Sequence, residues 1–116
     1  MQLQDIVQKL GLDVHTAAGR LGRAVHRGYA SDILSDVMAH ARPGDLWVTL
    51  QTHVNTVAVA ELKELAAIVL AGGRRPDPET LEKAAQREIP LLSSPLPKFE
   101  LVGRLYQLGL RGGQEP

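Results

Sequence analysis

Leu46-Trp47-Val48-Thr49-Leu50 is the stretch on which the fold turns. Its residues are apolar, aromatic or β-branched almost without a break, which suits a strand covered on both faces. The turn Pro43-Gly44-Asp45 feeds it, and a polar cluster, Gln51-Thr52-His53, follows it. Two more runs of the same kind come later. Ala67-Ile68-Val69-Leu70 closes at Gly72-Gly73, and Ile89-Pro90-Leu91-Leu92, with its proline near the start, closes at Ser93-Ser94-Pro95. Between and after these runs the apolar spacing becomes helical. Asn55 or Thr56 caps a helix whose buried side uses Val59, Leu62 and Leu65. Asp77-Pro78-Glu79 combines a capping acid, a first-turn proline and a first-turn carboxylate. In that helix Glu79 and Lys83 pair across one turn, and Leu81, Ala84 and Ala85 face the sheet. The last helix begins near Pro97, turns Phe99, Val102, Leu105 and Tyr106 inward and ends at Gly109. Strands each followed by a helix, joined too closely for anything but crossovers, predict an α/β fold. It is a single three-layer domain with a small, mainly parallel sheet between helices.

Towards the N-terminus the pattern is shorter and more broken. Leu3, Ile6, Val7 and Leu10 share one face of a helix that stops at Gly11. Val14 to Ala18 reads as a brief strand and turn, and Gly19 and Gly22 break it. Arg23 to Tyr29 alternates in part and leads into Ser31-Asp32, the polar cap and first-turn acid of a helix. The stripe of that helix is Ile33, Leu34, Val37, Met38 and Ala41. Residues 3–110 are thus expected to form the domain and 111–116 a disordered tail.

The 116 residues, 44% of them apolar, are enough for one core that needs no metal or disulfide, and there is no cysteine. Thirteen basic residues balance thirteen acidic ones, which removes the broad charge footprint of non-specific nucleic-acid or membrane binding. No apolar run approaches the ~18 to 20 residues that cross a bilayer, and the N-terminus lacks a basic start and an apolar signal core. A cytoplasmic protein is expected, with no nucleic-acid and no membrane partner.

In open parallel sheets ligands bind beyond the carboxyl ends of the strands, where helix N-termini favour anions. Four loops qualify here: Tyr29 to Asp32, Gln51 to Asn55, Gly72 to Arg75, and Ser93-Ser94. The candidate ligand-binding residues are Ser31, Gln51, Thr52, His53, Asn55, Gly72, Gly73, Arg74, Ser93 and Ser94. Glycines at 72 and 73 allow close backbone approach, and Arg74-Arg75 can fork onto phosphate or carboxylate, although glycine pairs are also ordinary turn signals. Thr52, His53 and Asn55 equally suit a helix start, and Ser31-Asp32 and Ser35-Asp36 are what capping predicts. The four histidines stand 11, 14 and 13 residues apart, without the spacing of a helical metal site. Arg20, Arg23, His26 and Arg27 form a basic cluster with no aromatic platform, which reads as a solvated edge. No phosphate loop, nucleophile elbow or dinucleotide fingerprint occurs, so no cofactor, no metal and no catalytic residue is expected; the residual alternative is a small phosphohydrolase that uses His53 and a nearby aspartate.

The order of these motifs resembles the DRTGG-domain family, as a stand-alone member. The resemblance rests on Gly28-Tyr29-Ala30-Ser31-Asp32 leading to Leu34-Ser35-Asp36-Val37-Met38, and on Gly44-Asp45-Leu46-Trp47-Val48-Thr49 followed by Gln51-Thr52-His53. It continues through Ala67-Ile68-Val69-Leu70 with Gly72 and through Ile89-Pro90-Leu91-Leu92-Ser93-Ser94, spanning about residues 3 to 110. That family is similar in fold to the N-terminal domains of HPr kinase/phosphorylase and of Mur ligases. It also occurs as a module in CBS-containing pyrophosphatases and beside phosphotransacetylase domains. The resemblance implies a non-catalytic regulatory domain, often a homodimer, that senses a small anionic metabolite. The alternative is an interaction adaptor for a redox or metabolic partner enzyme in a bacterial setting. The name-giving Asp-Arg-Thr-Gly-Gly pattern is absent, and Thr52-His53-Val54-Asn55-Thr56 stands where it would align.

Overall fold

The three continuous apolar runs are central strands, and two weaker segments complete the sheet. In the computed structural model, which describes residues 1–113, the elements are α1 (Leu3–Leu10), β1 (Asp13–Val14), a 3-10 turn (Ala18–Arg20), β2 (Arg27–Ala30) and α2 (Leu34–His40). They continue with β3 (Asp45–Thr49), α3 (Asn55–Leu62), β4 (Ala67–Leu70), α4 (Pro78–Gln86), β5 (Leu91–Ser93) and α5 (Lys98–Gln107). The strand order is β1-β5-β4-β3-β2, with β2 to β5 parallel and β1 antiparallel to β5.

Because β2, β3, β4 and β5 are neighbours in chain order, three successive crossovers travel one way across the sheet. Their helices α2, α3 and α4 therefore share one face, where Val37, Val57, Ala60 and Ala84 pack on Trp47, Ile68, Leu70 and Leu91. Helices α1 and α5 cover the other face, with Leu3, Ile6, Leu101 and Leu105 against Leu46, Val48, Val69 and Leu92. Every residue of β3 and β4 is buried, as unbroken apolar runs require of strands covered on both sides.

Several expected helix faces are narrower than their spacing implied. Helix α2 starts at Leu34, so Ile33 precedes it and is exposed; Met38 is exposed too, while Val37 and Ala41 are buried. In α3 the buried side is Thr56, Val57, Val59 and Ala60, because the helix is flanked by α2 and α4; Leu62 faces solvent, and Leu65 is buried beyond the helix end. Neither Asn55 nor Thr56 caps it: Val54 holds the cap position, and the Thr56 hydroxyl donates to the His53 carbonyl. Asp77 occupies the cap of α4 without a side-chain bond, Pro78 stands at its start, Ala85 is exposed, and Glu79 and Lys83 form no ion pair. On α5 the sheet is met by Leu101 and Leu105, one turn apart. Phe99, roughly 200° around the helix from Leu101, is 89% exposed, and Tyr106 is exposed as well.

A buried ion pair fixes the start of β2 against β3. Asp45 accepts two bonds of 2.9 Å from the Arg27 guanidinium and one of 2.8 Å from the Arg42 N–H. Arg27 also donates to the carbonyls of His40 and Gly112. The Gly28 N–H donates to the Arg111 carbonyl at 3.0 Å, so the segment expected to be a disordered tail begins with residues tied to the edge of β2. Residues 114–116 of that expectation lie outside the described residues.

Candidate functional site

The carboxyl ends of β2 to β5 open on one rim of the sheet, and the four predicted loops all lie along it. The structure divides them into two groups. At the ends of β2 and β3, Asp32 organises the chain. Its carboxylate accepts from the Leu50 N–H at 2.7 Å, the Thr49 hydroxyl at 3.0 Å and the Lys98 ammonium at 2.8 Å. Gln51 returns a bond from its side-chain amide to the Asp32 carbonyl at 3.0 Å, and the Trp47 indole N–H donates to the Ser31 carbonyl at 2.8 Å. The Ser31 hydroxyl accepts from the Ile33 N–H in a local turn.

Sequence spacing marks Asp32 as a helix acid, whereas it staples β2, β3 and the start of α5. Burial disfavours its charge, yet the bonds from Lys98, the Leu50 N–H and Thr49 prevail and hold its pKa below the ordinary 3.8. A depressed carboxylate contributes stability above its unfolded pKa, and that contribution is lost as pH falls through the folded value. The Tm difference between wild type and Asp32→Asn is therefore expected to be constant from about pH 7 to 5 and to shrink as pH falls below ~3.8. Thermal melts across that range check it; a difference that grows in acid contradicts it.

His53, Thr52 and Asn55 belong to the start of α3. The His53 Nδ1 accepts from the Asn55 N–H at 3.1 Å, and the Thr52 carbonyl accepts from the Thr80 hydroxyl at 2.7 Å. No carboxylate bonds His53 among the described residues.

The second group surrounds a cavity of about 630 Å³ at the ends of β4 and β5, lined by Asp13, His15, Gly73, Arg74, Arg75, Pro76, Leu81, Ser93, Ser94 and Pro95. Ligands favour the crevice where strand order reverses, and β2 to β5 run in sequence without a reversal. The second wall comes instead from β1, which enters antiparallel beside β5 and sets Asp13 opposite Ser93. One residue beyond β1, the His15 Nε2 and the Ser93 hydroxyl share a hydrogen bond of 2.7 Å. Thr16 locks this junction by donating to the Ile89 carbonyl and accepting from the Leu91 N–H.

Gly72 and Gly73 both have positive φ, 72° and 69°, and the turn they make folds inward. The Gly72 N–H donates to the Leu96 carbonyl at 2.7 Å and the Gly73 N–H to the Ser94 carbonyl at 2.9 Å. Ser94 is likewise engaged: its N–H donates to the Leu70 carbonyl and its hydroxyl accepts from the Leu96 N–H. Polar side chains on the cavity come from Asp13, His15, Arg74, Arg75, Ser93 and Ser94. Arg74 and Arg75 are exposed and join no ion pair among the described residues.

The candidate list therefore contributes Gly73, Arg74, Ser93 and Ser94 to one cavity, with His15 and Arg75 beside them. Ser31, Gln51, Thr52, His53 and Asn55 lie on the other loops, and Gly72 is outside the lining. His15 left no trace in local pattern, because its partner is 78 residues away. Among the described residues no three His, Cys, Asp or Glu side chains gather as a metal requires, and no helix is long and apolar enough to cross a membrane.

No protein-family model matches the sequence, and no curated protein matches it. Among solved structures, the fold is similar to the CBS and DRTGG domains of the regulatory region of Clostridium perfringens pyrophosphatase, crystallised with its activator diadenosine tetraphosphate. The TM-score is 0.68 at 15% identity, over 88% of this chain and 44% of that one. The chain thus has an α/β fold found in a regulatory region, and it spans less than half the length of that neighbour.

Proposed function

We propose that this domain is a non-catalytic regulatory module of the DRTGG type, cytoplasmic, that binds a small anionic ligand, a nucleotide or a phosphate-like group, in the β4–β5 cavity. The observation that carries the reading is the pair of exposed guanidinium groups of Arg74 and Arg75, which join no ion pair among the described residues, on a cavity that His15 and Ser93 also line. Guanidinium groups bind phosphate and carboxylate in bidentate fashion, and His15 adds a ring nitrogen that can donate. The activator named for the pyrophosphatase region, a dinucleotide polyphosphate, is an anion of this class and supports the reading by analogy of fold. The His15–Ser93 contact has the form of a nucleophile and its base. Yet the backbone N–H groups of Gly73 and Ser94 beside it are engaged within the protein, which favours binding over acyl-transfer chemistry.

The test is a thermal-shift screen against adenine nucleotides, inorganic phosphate and sugar phosphates. A ligand at 100 times its Kd is expected to stabilise the fold by about 2.7 kcal/mol, and Arg74→Ala is expected to lose most of that shift. A flat screen contradicts the proposal. The second reading is a homodimeric adaptor that docks on a partner enzyme through a helical face; Ile33 and Leu62 are exposed on the α2–α3 side and Phe99 on the α5 side. Sedimentation as a monomer at all concentrations, with no partner enzyme retained on immobilised protein, removes it.

A further inference from the structure

A second cavity, of about 370 Å³, lies at the opposite edge of the sheet, between β2 and α5, and none of the predicted site residues lines it. Its origin is legible in the register. Gly28 and Ala30 stand beside Leu46 and Val48 on β3, so they present their side chains to the face that α5 covers. Having almost none, they leave space beneath the helix. At Gly28 that space is partly taken by Leu110, whose Cδ2 stands 3.2 Å from where a Cβ would be. At Ala30 it stays open, above a floor of Val48 and Leu105 and beside Val102.

Among the described residues one cation and no carboxylate line this hollow, whose other side chains are aliphatic or tyrosine. The Arg111 guanidinium carbon lies 3.9 Å from the centroid of the Tyr106 ring, and its Nη1 donates to the Tyr106 carbonyl at 2.8 Å. Nη1 also donates to the Leu110 carbonyl at 3.3 Å, so stacking and hydrogen bonding orient the guanidinium, while among the described residues Nε and Nη2 make no hydrogen bond.

We infer that this cavity is a binding site, separate from the rim, for a small organic anion with an apolar body and a single carboxylate. The hydrocarbon or aromatic part seats against Val48, Val102 and Leu105, and the carboxylate meets Arg111. The volume lies within the range of small-molecule pockets, and an apolar lining with one placed polar group is how such pockets combine affinity with orientation. A polyphosphate does not suit it, because most of its charge would face hydrocarbon without partners.

The experiment uses 15N-labelled protein titrated with 4-phenylbutyrate and, separately, with the neutral 4-phenylbutan-1-ol, following amide resonances. The expected result is saturable shifts at Gly28, Ala30 and Arg111. Arg111→Gln should weaken the carboxylate about ten-fold while leaving the alcohol unchanged. Ala30→Leu, which fills the hollow from β2, should abolish binding of both; Val102→Phe does the same from α5 if the first variant does not fold. Shifts centred elsewhere, no shifts, or affinities unaltered in these variants overturn the inference. Concentration-dependent shifts of the same resonances without ligand overturn it too, because a second copy of the chain then occupies the surface.

Discussion

Replacing Asp45 with alanine is expected to destabilise the fold by about 3–5 kcal/mol, the usual cost of removing one partner from a buried ion pair. Asp45 is 1% exposed and the Arg27 side chain 13%, so little solvent is at hand to compensate what remains. The carboxylate receives three bonds, two from the guanidinium and one from the Arg42 N–H that closes the turn into β3. Its loss strands a positive charge and a backbone donor together. Arg27 also carries the carbonyls of His40 and Gly112, so the end of α2 and the segment along the edge of β2 loosen with it. Urea unfolding of Asp45→Ala and of Arg27→Leu/Asp45→Leu is the check. The double variant is expected to recover part of the loss, since it leaves no uncompensated charge. A single variant within 1 kcal/mol of wild type would show that the pair contributes no more than an exposed one.

Trp47→Ala is expected to cost about 3–5 kcal/mol, the range for emptying a buried aromatic site. Trp47 is fully buried at the centre of β3, among Val37, Val57, Ile68 and Leu70 on the face covered by α2, α3 and α4. The substitution also removes the indole N–H that holds the Ser31 carbonyl. Trp47→Phe separates the two contributions: it keeps most of the packing and forfeits the bond, for an expected loss of about 1–3 kcal/mol in all. Guanidinium unfolding followed by circular dichroism checks both, because the probe does not depend on the tryptophan. A Trp47→Ala protein as stable as wild type would contradict the packing described for this face.

The sheet was legible because strands buried on both sides are written as continuous apolar runs, and Leu46 to Leu50 and Ala67 to Leu70 are such runs. The first strand was not, since two residues carry no periodicity and nothing local makes Asp13–Val14 antiparallel. Helix faces failed where the layer was thin or crowded. Phe99 and Tyr106 flank a stripe of Leu101 and Leu105 and face outward, and Leu62 lies at the end of a helix wedged between two others.

The loops that share the rim of the sheet are legible in the sequence, but the contacts that organise them run across the chain. Asp32 meets Lys98 and His15 meets Ser93, pairs 66 and 78 residues apart, and no spacing rule reaches that far. Gly72-Gly73 illustrates the converse. The pair was legible as a turn with freedom to approach a ligand, and its N–H groups are committed to Ser94 and Leu96. What that turn contributes is the position of Arg74 and Arg75.

The most direct measurement follows the amide spectrum of 15N-labelled protein as the nucleotide or phosphate that gives the largest thermal shift is added. The account predicts saturable perturbations confined to residues 13–15, 73–75 and 93–94, abolished in Arg74→Ala/Arg75→Ala. Perturbations centred on Gln51 to Asn55, with residues 73–75 and 93–94 unmoved, would contradict it.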